Sequence, residues 1–331
     1  MLTKKQNLLE TIHGGNPDRF VNQYEYMQMI FGNPIAANNK RPVKGGEPVM
    51  DAWGVTHQFP AHVPGAFPLL DDEHKVLKDI TNWREVVHAP TLDYPEAMWK
   101  EFKAKFVDPI DRNEVFAAAM LAPGIFERSH YLMGMEDAML AMYTDPDEYK
   151  ALLNYIADWE VGYAERYCHY FKPDALFHHD DWGSQLSSFM SPEMFEEFIV
   201  PIYKRVYGAW RDCGVELIVH HADSYCANLV PHMIDIGIDI WQGCLSTNNV
   251  PALIRQYGGQ ISFMGDLNNG VVDVADWTPE LIAREVRRAC ETNGKHYFIP
   301  CATAGGPGST YPGVYDEISK NIDLMSREMF G

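Results

Sequence analysis

The 331-residue sequence predicts an α/β fold, a TIM (β/α)8 barrel with an irregular N-terminal extension over its mouth. Three observations carry this. Strand-like and helix-like stretches alternate strictly, with roughly 20–45 residues per unit, the mark of βαβ units and a parallel sheet. The strands are short apolar runs that end in polar, ligand-type residues, as at the C-terminal mouth of such a barrel. No glycine-rich phosphate loop follows any strand, which counts against a doubly wound open sheet. The run "GGPGS" at 305–309 follows a strand but lacks both the Walker lysine and the dinucleotide spacing.

Residues 3–13 read as a helix, capped by Thr3, with Leu8, Leu9 and Ile12 on one face. "GGNPDR" stops it, and Phe20–Tyr26 alternates in strand fashion. Residues 33–68 are rich in Pro and Gly with little periodicity, and read as an irregular rim segment. "NEVFAAAMLAP" is a buried-strand run, followed by a helix-rich span through "EYKALLNYIADWEVGYAERYCHYF". "DALFHHDD" is a strand. The next helix runs from a Ser191 cap to Gly214. Four further strands follow: "VELIVHHAD", "IDIWQGC", "QISFMGDL" and "KHYFIPCAT". Helices separate them, and "GVYDEISKNIDLMSREMF" closes the chain as a helix. Seven strands emerge, and the eighth is not evident. The whole of 1–331 reads as a single domain.

The formal net charge of −19 excludes partners that require basic surface, nucleic acid and anionic membrane among them. Six cysteines, none in a CxxC pair, do not form a disulfide framework. The N-terminus lacks a signal-peptide core and no apolar run reaches bilayer length, so a reducing, cytoplasmic setting is expected. A homo-oligomer is left open.

The strand ends concentrate the chemistry. In order they present Tyr24; Glu127 after the second strand; His178, His179, Asp180, Asp181 and Gln185; His220, His221, Asp223 and Tyr225; Gln242; Asp266; and Cys301. His221 and Asp223 are two apart, so on an extended strand end they share a face. Cys301 offers a third zinc ligand across the mouth. A hydrogen-bonded pair beside a plain buried thiol is the alternative for these three residues. In "HHDD", neighbours face opposite ways, so one His and one Asp face the mouth, and the sequence leaves open which. The inward members would serve as general acid, or fix an imidazole tautomer. The catalytic candidates are Asp181, His179, Asp180, Tyr24 and Glu127. Trp182, Gln185 and Tyr225 are candidates for facing a cofactor. Tyr26, Trp53 and Trp241 join Tyr24, Trp182 and Tyr225 as candidates for an aromatic pocket.

The stretches "HHDDWGSQLSSFMSPEMFEEFIVPIYKRV" and "GVELIVHHADSYCANLVPHMIDIGIDIW" resemble the uroporphyrinogen decarboxylase superfamily, and more closely its corrinoid-dependent methyltransferase branch. "NPDRF", "PGAFPLL", "KDITNW" and "GVYDEISKNI" extend the resemblance over nearly the whole chain. It implies a TIM barrel with its site at the mouth. It also implies zinc bound through H-x-C on the fourth strand region and a later Cys. His221 matches that His and Cys301 the later Cys, but Asp223 stands at the middle position, which puts thiol activation in doubt. The decarboxylases carry an arginine-rich N-terminal motif that holds several substrate carboxylates. Here "DRFVNQYEYMQMIF" has a single Arg. Relatives with the "HHDDWGSQ" run imply methyl transfer between a small substrate, an aromatic methyl ether (O-demethylation), and a corrinoid protein partner that presents Co(I) above the mouth. A decarboxylase, a thiol or tetrahydrofolate methyltransferase, and a non-catalytic binding barrel are the alternatives.

Overall fold

A computed structural model describes every residue except Pro64. Seven parallel strands form one curled sheet in chain order: β1 Met27–Met29, β2 Phe116–Leu121, β3 Ala175–His179, β4 Leu217–His221, β5 Ile240–Cys244, β6 Ser262–Asp266 and β7 Phe298–Cys301. Each neighbouring pair is parallel and helices lie on the outside, as the alternation requires. The α/β barrel-type expectation holds in this seven-stranded form.

Period-2 alternation sorts every strand into two layers. Facing inward are Phe116, Ala118, Ala175, Phe177, Leu217, Val219, Ile240, Met264, Ile299 and Cys301, which pack as one interior core. Facing outward are Ala117, Leu176, Ile218, Trp241 and Phe298, which pack against the helices. The helix Lys4–Ile12 begins at Thr3 with a capping box and adds Leu8 and Ile12 to the interior core, closing the bottom of the sheet.

The expected first strand is displaced. Residues 20–22 are irregular and 23–26 form a turn, and β1 starts at Met27. Gln23 adopts φ 52, which breaks a strand. Its buried carboxamide accepts from Ala302 N and donates to Tyr315 O and Ser319 Oγ of the C-terminal helix Val314–Phe330. No backbone pairing joins β7 to β1 among the described residues; this side chain spans the gap.

The 33–68 segment is more regular than its composition suggests. It holds a one-turn helix, Pro34–Ala37, capped by Asn33, and an antiparallel sheet of Val49–Met50, Thr56–Gln58 and Phe67–Pro68. Asp51 anchors it, accepting from Trp53 N and Val55 N and pairing with Arg128 at 2.8 Å on the helix Ile125–Met133. No helix among the described residues is long and apolar enough to cross a membrane.

Candidate active site

Strands β3 and β4 pair in register, so that His178 lies opposite His220 and His179 opposite His221. Each strand therefore sends one imidazole to each side of the sheet. The outward pair is structural. His178 Nε2 meets Glu160 Oε2 at 3.1 Å, with both groups buried. His220 Nε2 donates to the Asp180 carbonyl at 3.0 Å and Nδ1 accepts from the Tyr207 hydroxyl at 2.6 Å. Trp182 stacks on that ring at 3.8 Å, and burial holds the His220 pKa well below the usual range.

The inward pair forms the site. The His179 and His221 rings lie 4.4 Å apart above the Phe177 and Val219 layer. Asp181 completes the group: one ligand atom each from His179, Asp181 and His221 lies within 4.8 Å of the others. His179 Nε2 faces Glu127 Oε2 at 3.3 Å and Asp181 Oδ2 at 3.5 Å. Burial alone would depress this imidazole, but the two carboxylates outweigh it and raise its pKa well above the usual value. His221 moves the other way, down to about 4, through burial and the charge on His179. Its Nδ1–H donates to Gln242 Oε1, which leaves the Nε2 lone pair free. Gln242 is itself held by the Ala302 and Thr303 carbonyls. Burial opposes the Asp181 charge, but the His179 hydrogen bond and charge and the Asp223 backbone N–H outweigh it and hold its pKa below the usual value.

The donor set suits a divalent metal such as zinc: two imidazoles and one carboxylate converge, one imidazole with its tautomer fixed by a buried carboxamide. It differs from the triad expected from sequence. Asp223 lies two residues past β4, where the chain has turned, and it meets the group through its backbone N–H. Its carboxyl is pushed up to about 7 by burial and by Asp181. Cys301 lies in the interior core against Tyr24 and Gln242, and burial keeps its thiol protonated. The buried Tyr24 hydroxyl meets that thiol, a weak partner, and finds no other among the described residues.

Asp180 also departs from expectation. It points outward and accepts four hydrogen bonds, from Phe126 N, Glu127 N, Trp182 Nε1 and the Tyr203 hydroxyl. It therefore caps the helix Ile125–Met133 and so aims Glu127 at His179. Burial and the Glu127 charge push its carboxyl up, to about 7, against those four donors. Gly124 leaves room for it, since a Cβ there would stand 2.4 Å from Asp180 Cβ. Trp182 is fully buried beneath the helices, not at the mouth, because residue 182 shares the outward parity of Asp180 and His178. Tyr26 and Trp241 are likewise core. Gln185 is exposed, its carbonyl accepting from Thr247, and Tyr225 is half-buried, its N–H bound to Ser184 O. Neither lines the pocket.

That pocket, about 330 Å³, lies between the 33–68 segment and the strand ends. Glu127 and His179 reach it from the site; Trp53, Trp159, Tyr131 and Tyr163 supply aromatic walls, and Arg128, Lys40 and Arg41 supply cations. Of the aromatic residues expected from sequence, Trp53 alone is here. Gln242, Arg128 and Tyr163 carry no motif: their importance rests on contacts between residues tens of positions apart.

The family model for uroporphyrinogen decarboxylase (URO-D) matches residues 112–312. A methylated-thiol–coenzyme M methyltransferase of Methanosarcina mazei is 28% identical over 165 residues, 49% of this chain. The match covers 41% of that relative, so the chain spans less than half its length. The solved structure of a methyltransferase from Methanosarcina mazei superposes with a TM-score of 0.66 at 12% identity over the full length of both chains. That likeness concerns the fold, and with the family match it agrees with the residues that resemble this superfamily. The chain belongs to the uroporphyrinogen decarboxylase (URO-D) family.

Proposed function

We propose that the protein is a corrinoid-dependent methyltransferase that takes a methyl group from a small aromatic methyl ether and delivers it to a partner corrinoid protein. One observation carries the reading: the His179 imidazole lies between Glu127 and Asp181, at 3.3 and 3.5 Å, at the floor of a small aromatic pocket. Removing a methyl cation from an ether leaves a phenoxide, a poor leaving group unless it is protonated as the C–O bond breaks. His179 is the group placed to give that proton as the bond breaks, and Glu127 and Asp181 hold the ring in place. The corrinoid supplies the nucleophile when the partner docks over the mouth.

A divalent ion held by His179, Asp181 and His221 would displace the His179 proton and supply Lewis-acid polarisation of the same oxygen. The two arrangements exclude each other at His179, and metal analysis of the purified protein separates them. The N-terminal stretch carries a single Arg where the decarboxylases have an arginine-rich motif, which disfavours porphyrinogen decarboxylation. Thiol methylation is the second reading, favoured by the name of the M. mazei relative. Against it stand Asp223 at the middle ligand position and the buried, protonated Cys301. The deciding test mixes the protein with reduced cobalamin and candidate methyl ethers and follows the corrinoid's visible absorption. A colour change with aryl methyl ethers supports the reading. Turnover only with methyl thioethers overturns the ether assignment.

A further inference from the structure

The charges around the pocket are unevenly matched. Three acids line it, and each already faces a partner: Asp51 meets Arg128 at 2.8 Å and His57 at 3.2 Å, Glu160 meets His178 at 3.1 Å, and Glu127 meets His179 at 3.3 Å. Lys40 and Arg41 line the same pocket and are exposed at its opening, whereas Glu127 is buried at its floor. Neither cation forms an ion pair or a side-chain hydrogen bond among the described residues. Adjacent unmatched cations over a concave site are notable in a chain of net charge −19, and they would draw an anion into it.

A neutral donor lies beside them. The Tyr163 hydroxyl, only 4% exposed, accepts from Asn33 Nδ2 at 3.0 Å, and its own proton has no acceptor among the described residues. Arg41 is close enough for its charge to act on that hydroxyl. Between this end and His179 stand flat walls. Trp53 meets Trp159 edge-on at 5.4 Å, and Trp159 meets Tyr163 at 5.5 Å. The volume, about 330 Å³, accommodates a substituted benzene ring.

We propose that the pocket takes an aromatic methyl ether bearing a carboxylate, with the carboxylate at Arg41, Lys40 and Tyr163 and the ring between Trp53, Trp159 and Tyr163. The methoxy end then reaches His179. This rests on the methyl-transfer reading for the identity of the reacting end, but the anion subsite stands on its own geometry. An arginine and a hydroxyl suit a planar carboxylate through charge-assisted hydrogen bonds.

The test uses the intrinsic fluorescence of the full-length protein, since Trp53 and Trp159 line the pocket. It is titrated with 4-methoxybenzoate, the neutral 4-methoxybenzamide, and the aliphatic anion 2-(methylthio)ethanesulfonate. We expect 4-methoxybenzoate to bind at least tenfold tighter than the amide. In a Lys40→Gln/Arg41→Gln variant that preference should vanish. Tyr163→Phe should reduce the preference about threefold or more. Equal affinity for acid and amide, a preference that survives in the double variant, or tighter binding of the sulfonate would each overturn the proposal. If 4-methoxybenzoate binds as expected but no methyl reaches added cobalamin, the carboxylate subsite holds and the methyl-transfer reading fails.

Discussion

His179 and His221 sit directly opposite each other on adjacent parallel strands, with ring centroids 4.4 Å apart, yet their pKa values move in opposite directions. Two carboxylates surround His179, whereas His221 faces an amide oxygen and a charged neighbour. One ring is thus set as a proton carrier and the other as a neutral lone-pair donor. His221→Ala should abolish methyl transfer while circular dichroism and the melting temperature stay close to wild type. Retained turnover would remove His221 from the site.

The Gln242 carboxamide fixes which nitrogen of His221 carries the proton. Gln242→Leu frees the ring to take the other tautomer and removes a buried partner. Loss of such a partner typically lowers metal affinity or activity about 10–100-fold. Zinc titration of the apoprotein, compared with wild type, checks this; unchanged affinity would mean that His221 holds no metal.

Asp180 acts through the helix it caps. Asp180→Ala should destabilise the protein by at least the ~1–2 kcal/mol of a lost N-cap, with the unpaired Tyr203 and Trp182 donors adding to it. It should also lower kcat by releasing Glu127 from His179. Gly124→Ala should mimic both effects through the clash with Asp180. Denaturant unfolding together with steady-state kinetics measures the two together; wild-type values for either variant would sink the assignment.

The Asp51–Arg128 pair ties the rim segment to the strand-end helix. Burial opposes the Asp51 charge, but His57 and Arg128 outweigh it and hold its pKa below the usual value. A depressed folded pKa adds stability that is fully present above the unfolded value, about 4, and is lost as pH falls through the folded one. Asp51→Asn strands a buried guanidinium and should cost about 3 kcal/mol at neutral pH. The gap between variant and wild type should narrow below about pH 4. A gap that stays constant down to acid pH would show that the ionised carboxylate is not the source.

Much of this was readable from the residues alone. Strand–helix alternation points to the barrel class, and the period of two puts His220 and His221 on opposite faces of their strand. In "HHDD" both parities offer the same chemistry, one His and one Asp, so only packing could choose. Phe177 inside and Leu176 outside decide it, and His179 and Asp181 follow. Spacing two from His221 points to Asp223 and a strand end points to Cys301, but the strand stops at His221 and Cys301 sits in the interior core. The rim sheet and its Asp51 anchor depend on partners far apart in the chain, to which no local pattern points. The displaced first strand traces to one residue, Gln23, whose positive φ an alternating run cannot reveal.

Gln23 has a mechanical meaning as well. A ring whose two edge strands share no backbone ladder has a built-in line of weakness, and a helix near the end of the chain holds in place the Gln23 side chain that reaches across it. The last helix is thereby a latch for the first strand. Amides on the free edges of β1 and β7 should exchange with solvent sooner than those of β3 and β4. The two histidine strands lie farthest from the latch, in the part of the wall that opens last.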